Sequence, residues 1–107
     1  MKGTYLGEFE ELVLLTVAVL NGEAYGVSIA SIIEEEANRS VTISTIHNVL
    51  YRLEEKGFVK SRLGGATAER GGRNKRLFSI TATGHAALDQ SKKLRNRLWG
   101  LMPDIKF

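Results

Sequence analysis

Residues 64–81 read GGATAERGGRNKRLFSIT. Four glycines and five charged residues, four of them basic, are packed into this one stretch. Apolar runs flank it: Phe58-Val59 before, Leu77-Phe78 and Ile80 after. Residues 58–63 alternate enough to form a strand, and residues 75–81 form a second. Two strands joined by a glycine-rich loop make an antiparallel hairpin whose tip can adapt its backbone to a surface. Cations on such a tip fit either a solvated turn or a finger that touches an anionic partner. The residues upstream bear on that choice.

Residues 40–58 read SVTISTIHNVLYRLEEKGF. Thr42 is a good N-cap and Gly57 a good stop, so a helix is expected over 43–56. Ile43, Ile46, Leu50 and Leu53 share one face. The opposite face carries Ser44, Thr45, His47, Asn48, Tyr51, Arg52 and Glu55. Its first half offers short hydrogen-bonding groups, the character needed to enter a major groove and reach base edges. Taken alone, it reads first as the polar surface of an amphipathic helix. Before it, residues 24–37 give a second helix with the stripe Tyr25, Ile29, Ile32 and Ile33; its terminal acids Glu34, Glu35 and Glu36 read as solvated. Residues 8–21 give a first helix, opened by Glu8, Glu10 and Glu11 and closed by Asn21-Gly22. Its β-branched content leaves a strand reading open, though its length favours a helix. It is apolar nearly all round, so a second subunit is expected against its outer side.

Three helices followed by a hairpin is the order of a winged helix-turn-helix domain, a mainly α fold with a small antiparallel hairpin. In that fold the third helix reads bases, while Arg70, Arg73, Lys75 and Arg76 on the wing neutralise phosphates. The charge distribution agrees. Residues 1–59 hold four Lys/Arg against nine Asp/Glu, whereas residues 60–107 hold eleven against three. Double-stranded DNA is the expected partner. The competing reading is a winged helix that uses the same faces for a protein partner and has lost DNA binding.

The segments YGVSI (25–29), STIHNVLYRLEEKGFVKSR (44–62) and GGRNKRLFSITATGHAAL (71–88) resemble the PadR family of transcriptional regulators. The resemblance extends over about residues 6–98. It implies a winged-helix homodimer that binds an operator, usually as a repressor. Carried over by position, it implies DNA contacts from Thr42, Ser44, Thr45, His47 and Asn48, and from Arg73, Asn74 and Lys75 in the wing. One departure stands out: His47 occupies the place of the tyrosine in the family's threonine–leucine–tyrosine motif, and its reach is shorter.

The last helix follows Thr81 and ends at Pro103. Ala87, Ser91, Leu94, Leu98 and Leu101 are spaced by alternating steps of four and three, a coiled-coil-like seam, with Leu88, Trp99 and Met102 adjoining. The seam fits a helix packed on its own core or a dimer contact. The resemblance implies the dimer, through the first and last helices. The expected interface is Leu12, Leu15, Leu88, Ser91, Leu94, Leu98, Trp99 and Leu101. Residues 1–81 would then be the DNA-binding unit and residues 82–107 the dimerisation helix and tail, a single C-terminal helix as in the family's short members. Some relatives hold flat aromatic ligands between subunits. Trp99 could stack on such an effector, with Tyr5, Phe9 and Met102 beside it, or could be an interface anchor.

Other classes find little support. There is no cysteine, hence no disulfide and no thiolate metal site, which suits a reducing cytoplasm. His47 and His85 lack a ligand-type pattern, and no cofactor or metal is expected. GGATAERGG lacks the Lys-Ser/Thr ending of a phosphate-binding loop. No catalytic constellation stands out, so an enzyme is not expected. The longest apolar run, residues 12–20, contains Thr16 and is too short to span a bilayer. The acidic N-terminus makes a poor signal peptide, so a membrane partner is not expected.

Overall fold

A computed structural model describes residues 6–64 and 75–107. The chain runs α1 (Glu8–Leu20), α2 (Gly26–Ala37), α3 (Ile43–Glu55), β1 (Val59–Leu63), β2 (Arg76–Ile80) and α4 (Ala82–Leu101). This is the winged-helix order expected from the sequence, mainly helical with one two-stranded antiparallel sheet. The sequence-based wing tip, including Arg70, Arg73 and Asn74, lies outside the described residues, as does Tyr5.

Local chemistry sets most boundaries. α1 stops where Asn21 takes a left-handed conformation (φ 45°) and Gly22 follows at φ 93°. α2 begins two residues later than expected, because Ala24 is drawn into a bridge with Phe78: the Phe78 N–H donates to the Ala24 carbonyl at 2.8 Å. Tyr25 then becomes the N-cap, and its N–H donates to the Ser28 hydroxyl at 2.9 Å. Thr42 caps α3 as expected, its hydroxyl accepting from the Thr45 N–H at 3.1 Å. Thr81 caps α4 and also donates its hydroxyl proton to the Gly57 carbonyl at 2.6 Å, tying the start of α4 to the turn before β1. The register Val59↔Ile80 to Leu63↔Arg76 brings the two strands together over their full length.

One core joins these elements. Val13, Leu14 and Val17 of α1, Ile29 and Ile33 of α2, and Ile46, Val49, Leu50 and Leu53 of α3 are buried with Phe58 and Phe78 of the sheet region. The apolar face of α3 therefore differs from expectation at its first turn. Ile43 remains 38 % exposed there, and further along the helix Val49 is buried. In α1 the inner side is Val13, Leu14, Thr16 and Val17, whereas Leu15 and Val19 are left exposed. In α4 only Gly84 and Ala87 are buried, with Leu88 partly packed on the core. The expected seam therefore divides: Ala87 belongs to the chain's own core, and Leu94, Leu98 and Leu101 are exposed.

Candidate nucleic-acid interface

The first two turns of α3 carry the proposed reading face. Burial of Ile46, Val49, Leu50 and Leu53 leaves Thr42, Ser44, Thr45 and Asn48 exposed on the other side. Thr42 donates its hydroxyl proton to the Thr45 hydroxyl at 2.9 Å while accepting from the Thr45 backbone. The Thr45 proton is thereby left to point elsewhere. Ser44 and Asn48 stand exposed with both donor and acceptor capacity, as base-edge readout requires.

His47 does not join them. Its ring folds over Gly26: a Cβ placed there would lie 2.9 Å from His47 Nε2 and 3.0 Å from Ile43 Cγ2. The other ring nitrogen, Nδ1, is buried without a hydrogen-bond partner, and Tyr51 packs at 6.1 Å between ring centroids. His47 is thus a half-buried packing residue between α2 and α3, although its position on the helix wheel placed it on the outward face.

Lys75 and Arg76 are the expected wing cations among the described residues; Lys75 sits just before β2, where its carbonyl accepts from the Gly64 N–H. Its ammonium lies 4.2 Å from the centre of the Tyr25 ring, a cation–π contact. Tyr25, Gly26, Val27, Ile43, His47, Lys75 and Arg76 together line a hollow of about 120 Å³ where α2, α3 and β2 meet. Arg76 donates to the Ser61 hydroxyl at 2.9 Å, and Ser61 donates to Glu54 on α3 at 2.9 Å. This chain of bonds fixes the base of the wing to α3. The start of α2 was not singled out as functional by the sequence reading; the pair Tyr25-Gly26 before an apolar stripe was the available signal.

The other predicted residues fall on a separate surface. Leu15, Leu88 and Trp99 line a groove of about 520 Å³ between α1 and α4, together with Ala18 and polar groups that include Glu11, His85 and Arg95. Leu98, Trp99 and Met102 line an adjoining hollow with Arg95. Leu12 packs partly on the chain's own core, and Ser91 is engaged by the Glu11 carboxylate at 3.0 Å. Phe9 lies elsewhere within the chain. It packs on the core beneath the Arg39 guanidinium, 5.0 Å from its ring centre, and lines a hollow with Val41, Thr42 and Thr45. One chain therefore brings Trp99 and Met102 together but not Phe9.

Among the described residues, no cluster of His, Asp and Glu could hold a metal ion, and no helix is long and apolar enough to cross a membrane. A search of curated proteins returns no match. The fold is shared with several solved structures. Bacillus subtilis PadR in complex with operator DNA aligns with a TM-score of 0.65 and 21 % identity, over 94 % of this chain and 52 % of that one. A PadR-like transcription factor from Bacteroides fragilis gives 0.73 and 20 %, covering 86 % and 84 %. A PadR family regulator from Clostridium difficile gives 0.69 and 22 %, covering 90 % and 95 %. The sequence itself matches the family model described as "Transcriptional regulator PadR-like family" over residues 14–90, which run from α1 through the wing into α4. On that match and this architecture, the chain belongs to the PadR-like family of transcriptional regulators, DNA-binding proteins rather than enzymes.

Proposed function

We propose that this regulator is a repressor that binds a palindromic operator as a homodimer, with the start of α3 in the major groove and the basic wing on flanking DNA. The observation that carries this reading is the exposed row Thr42, Ser44, Thr45 and Asn48, held on a helix whose other face is fixed in the core. Short polar groups on a rigid helix suit base edges, and a neighbouring cationic hairpin suits phosphates. The likeness of the fold to B. subtilis PadR, solved in complex with operator DNA, supports the operator-binding reading. Arg73, Asn74 and Lys75 are the proposed wing contacts, and His47 acts through packing.

The dimer would form through α4 and the outer side of α1, with residues 1–81 as the DNA-binding unit and residues 82–107 as the dimerisation helix and tail. A flat aromatic effector would fit beside Trp99 in the groove between α1 and α4, whose size lies within the range of small-molecule sites. The protein would act in the cytoplasm, where its DNA is.

The test is selection of bound duplexes from a randomised pool, followed by Asn48→Ala. The variant should relax preference at one or two base positions and cost about 1–3 kcal/mol on the best site. An equal loss on random DNA would assign Asn48 to positioning; failure of the wild type to select any sequence would overturn the DNA-reading proposal.

A further inference from the structure

The first turn of α1 carries three acids, and each holds groups on a different part of the chain. Both Glu8 carboxylate oxygens accept from Arg39, at 3.1 and 2.8 Å, three residues before the cap of α3. Glu10 accepts from Lys56 Nζ at 2.9 Å and from Arg52 Nε at 3.3 Å, at the far end of α3. Glu11 accepts from the Ser91 hydroxyl of α4 at 3.0 Å, and Arg95 Nη2 lies 3.6 Å away. One short segment therefore holds the connection leading into the reading helix, the C-terminal end of that helix, and the middle of α4.

These contacts are unequal in strength. Glu8 and Arg39 are exposed, and exposed pairs contribute little. Glu10 has only 12 % of its side chain exposed and also accepts from the Gly7 N–H at 3.0 Å, so its orientation is fixed from its own helix. Charge-assisted bonds to a pre-oriented, partly buried carboxylate are the strong kind. The apolar contact between α1 and α3 opposes separation but leaves rotation and sliding comparatively free, because apolar burial is non-directional. A directional bond at one end of α3 removes that freedom.

We propose that Glu10 is a positioning residue for DNA recognition: it fixes the tilt of α3 on α1, and its neighbour Glu11 links that same turn to α4. Glu10 touches no base. It acts through Arg52 and Lys56, so that the angle at which Ser44, Thr45 and Asn48 are presented depends on the seating of α1 against α4. The proposal rests on the DNA-reading function argued above.

The test uses the full-length protein, the tightest duplex it selects from a randomised pool, and the randomised duplex itself. Glu10→Gln keeps the shape of the side chain and removes its charge. Loss of a negative charge by itself raises affinity for all DNA alike. Loss of positioning instead lowers the ratio of selected to random affinity, here by about tenfold, the scale of one charge-assisted hydrogen bond. Lys56→Met cuts the same tether from the other side and should lower the ratio in the same direction. Amide hydrogen exchange on the free protein gives a reading without DNA: α3 should exchange faster in Glu10→Gln while the β1–β2 sheet is unchanged. An unchanged ratio with unchanged α3 exchange overturns the proposal. If the wild type selects no sequence, the DNA-reading function fails and this role with it. If the wild type selects a sequence and Glu10→Gln retains the full ratio, only the positioning role fails.

Discussion

At Glu10, burial works to raise the carboxyl pKa, but the Lys56 hydrogen bond, the Gly7 backbone N–H, the Arg52 hydrogen bond and the Lys56 charge together outweigh it. The net result is a pKa below the ordinary carboxylate value of 4.5. A depressed folded-state pKa contributes stability that is fully present above the unfolded value and is lost as pH falls through the folded one. The Glu10 tether should therefore hold at neutral pH and fail in acid, below about pH 4.5. Urea unfolding across pH 3–7 checks this, those values being about one unit or more on either side of the carboxylate range. Glu10→Gln should be less stable than wild type at neutral pH, and the two curves should converge in acid. Parallel curves would mean that the ionised form of Glu10 contributes nothing to the fold. A residue-scale reading of the sequence could not supply this role. Glu8, Glu10 and Glu11 were legible as favourable first-turn acids, but Glu10's partners on α3 lie 42 and 46 residues away and Glu11's on α4 lies 80 away. The half-buried setting of His47 was not legible for a related reason: the helix wheel puts it outward, and the ring's close approach to Gly26 involves a residue 21 positions away.

The elements were more legible than the contacts between them, because their ends are written in local chemistry. Thr42, Thr81 and Gly57 marked boundaries that the structure keeps to within a residue or so. The boundary at α2 was missed, since the Ala24–Phe78 bridge pairs residues far apart in sequence. The docking of α4 depends on another such close approach. A Cβ at Gly84 would overlap the Phe58 carbonyl oxygen and lie 3.0 Å from Ile80 Cγ1. The Phe58 carbonyl is backbone and already accepts from the Thr81 N–H at 3.0 Å, so it has little room to yield. Gly84→Ala should lift the first turn of α4 and destabilise the protein by about 1–3 kcal/mol, as overpacking does. Gly100→Ala serves as the control. Nothing lies within 4 Å of a Cβ there, and Ala favours the helix by about 0.5–1 kcal/mol. Denaturant midpoints moving in opposite directions would support this docking; a neutral Gly84→Ala would show that α4 does not sit this close to Phe58.

At the scale of the molecule, α4 extends well past the core it starts on. Twenty residues of helix rise about 30 Å, and the chain measures 57 Å along its longest axis against 20 Å along its shortest. From Lys92 onward every residue is exposed, including Leu94, Leu98, Trp99, Leu101 and Met102. Leu15 and Val19 add apolar surface on α1. Exposed apolar side chains in this number suit an interaction surface, and the four–three spacing suits a helix partner. Leu94 and Leu98 are 46 % and 56 % exposed, so changing them should leave the chain's own core intact. Replacing both with Glu would place unpaired charge inside a dimer contact, at a cost of several kcal/mol. The variant should sediment as a folded monomer while the wild type sediments as a dimer at micromolar concentrations. Two reading helices in a symmetric dimer would meet half-sites about one helical turn apart, roughly 34 Å. Binding to both half-sites at once gains from effective concentration, which a monomer forfeits. Affinity for the selected duplex should therefore fall much further in the double variant than after loss of any single wing cation, while affinity for random DNA changes less. A wild type that sediments as a monomer would remove the dimer from this account. A monomeric variant that binds the selected duplex as tightly as wild type would instead show that one copy of α3 is sufficient for recognition.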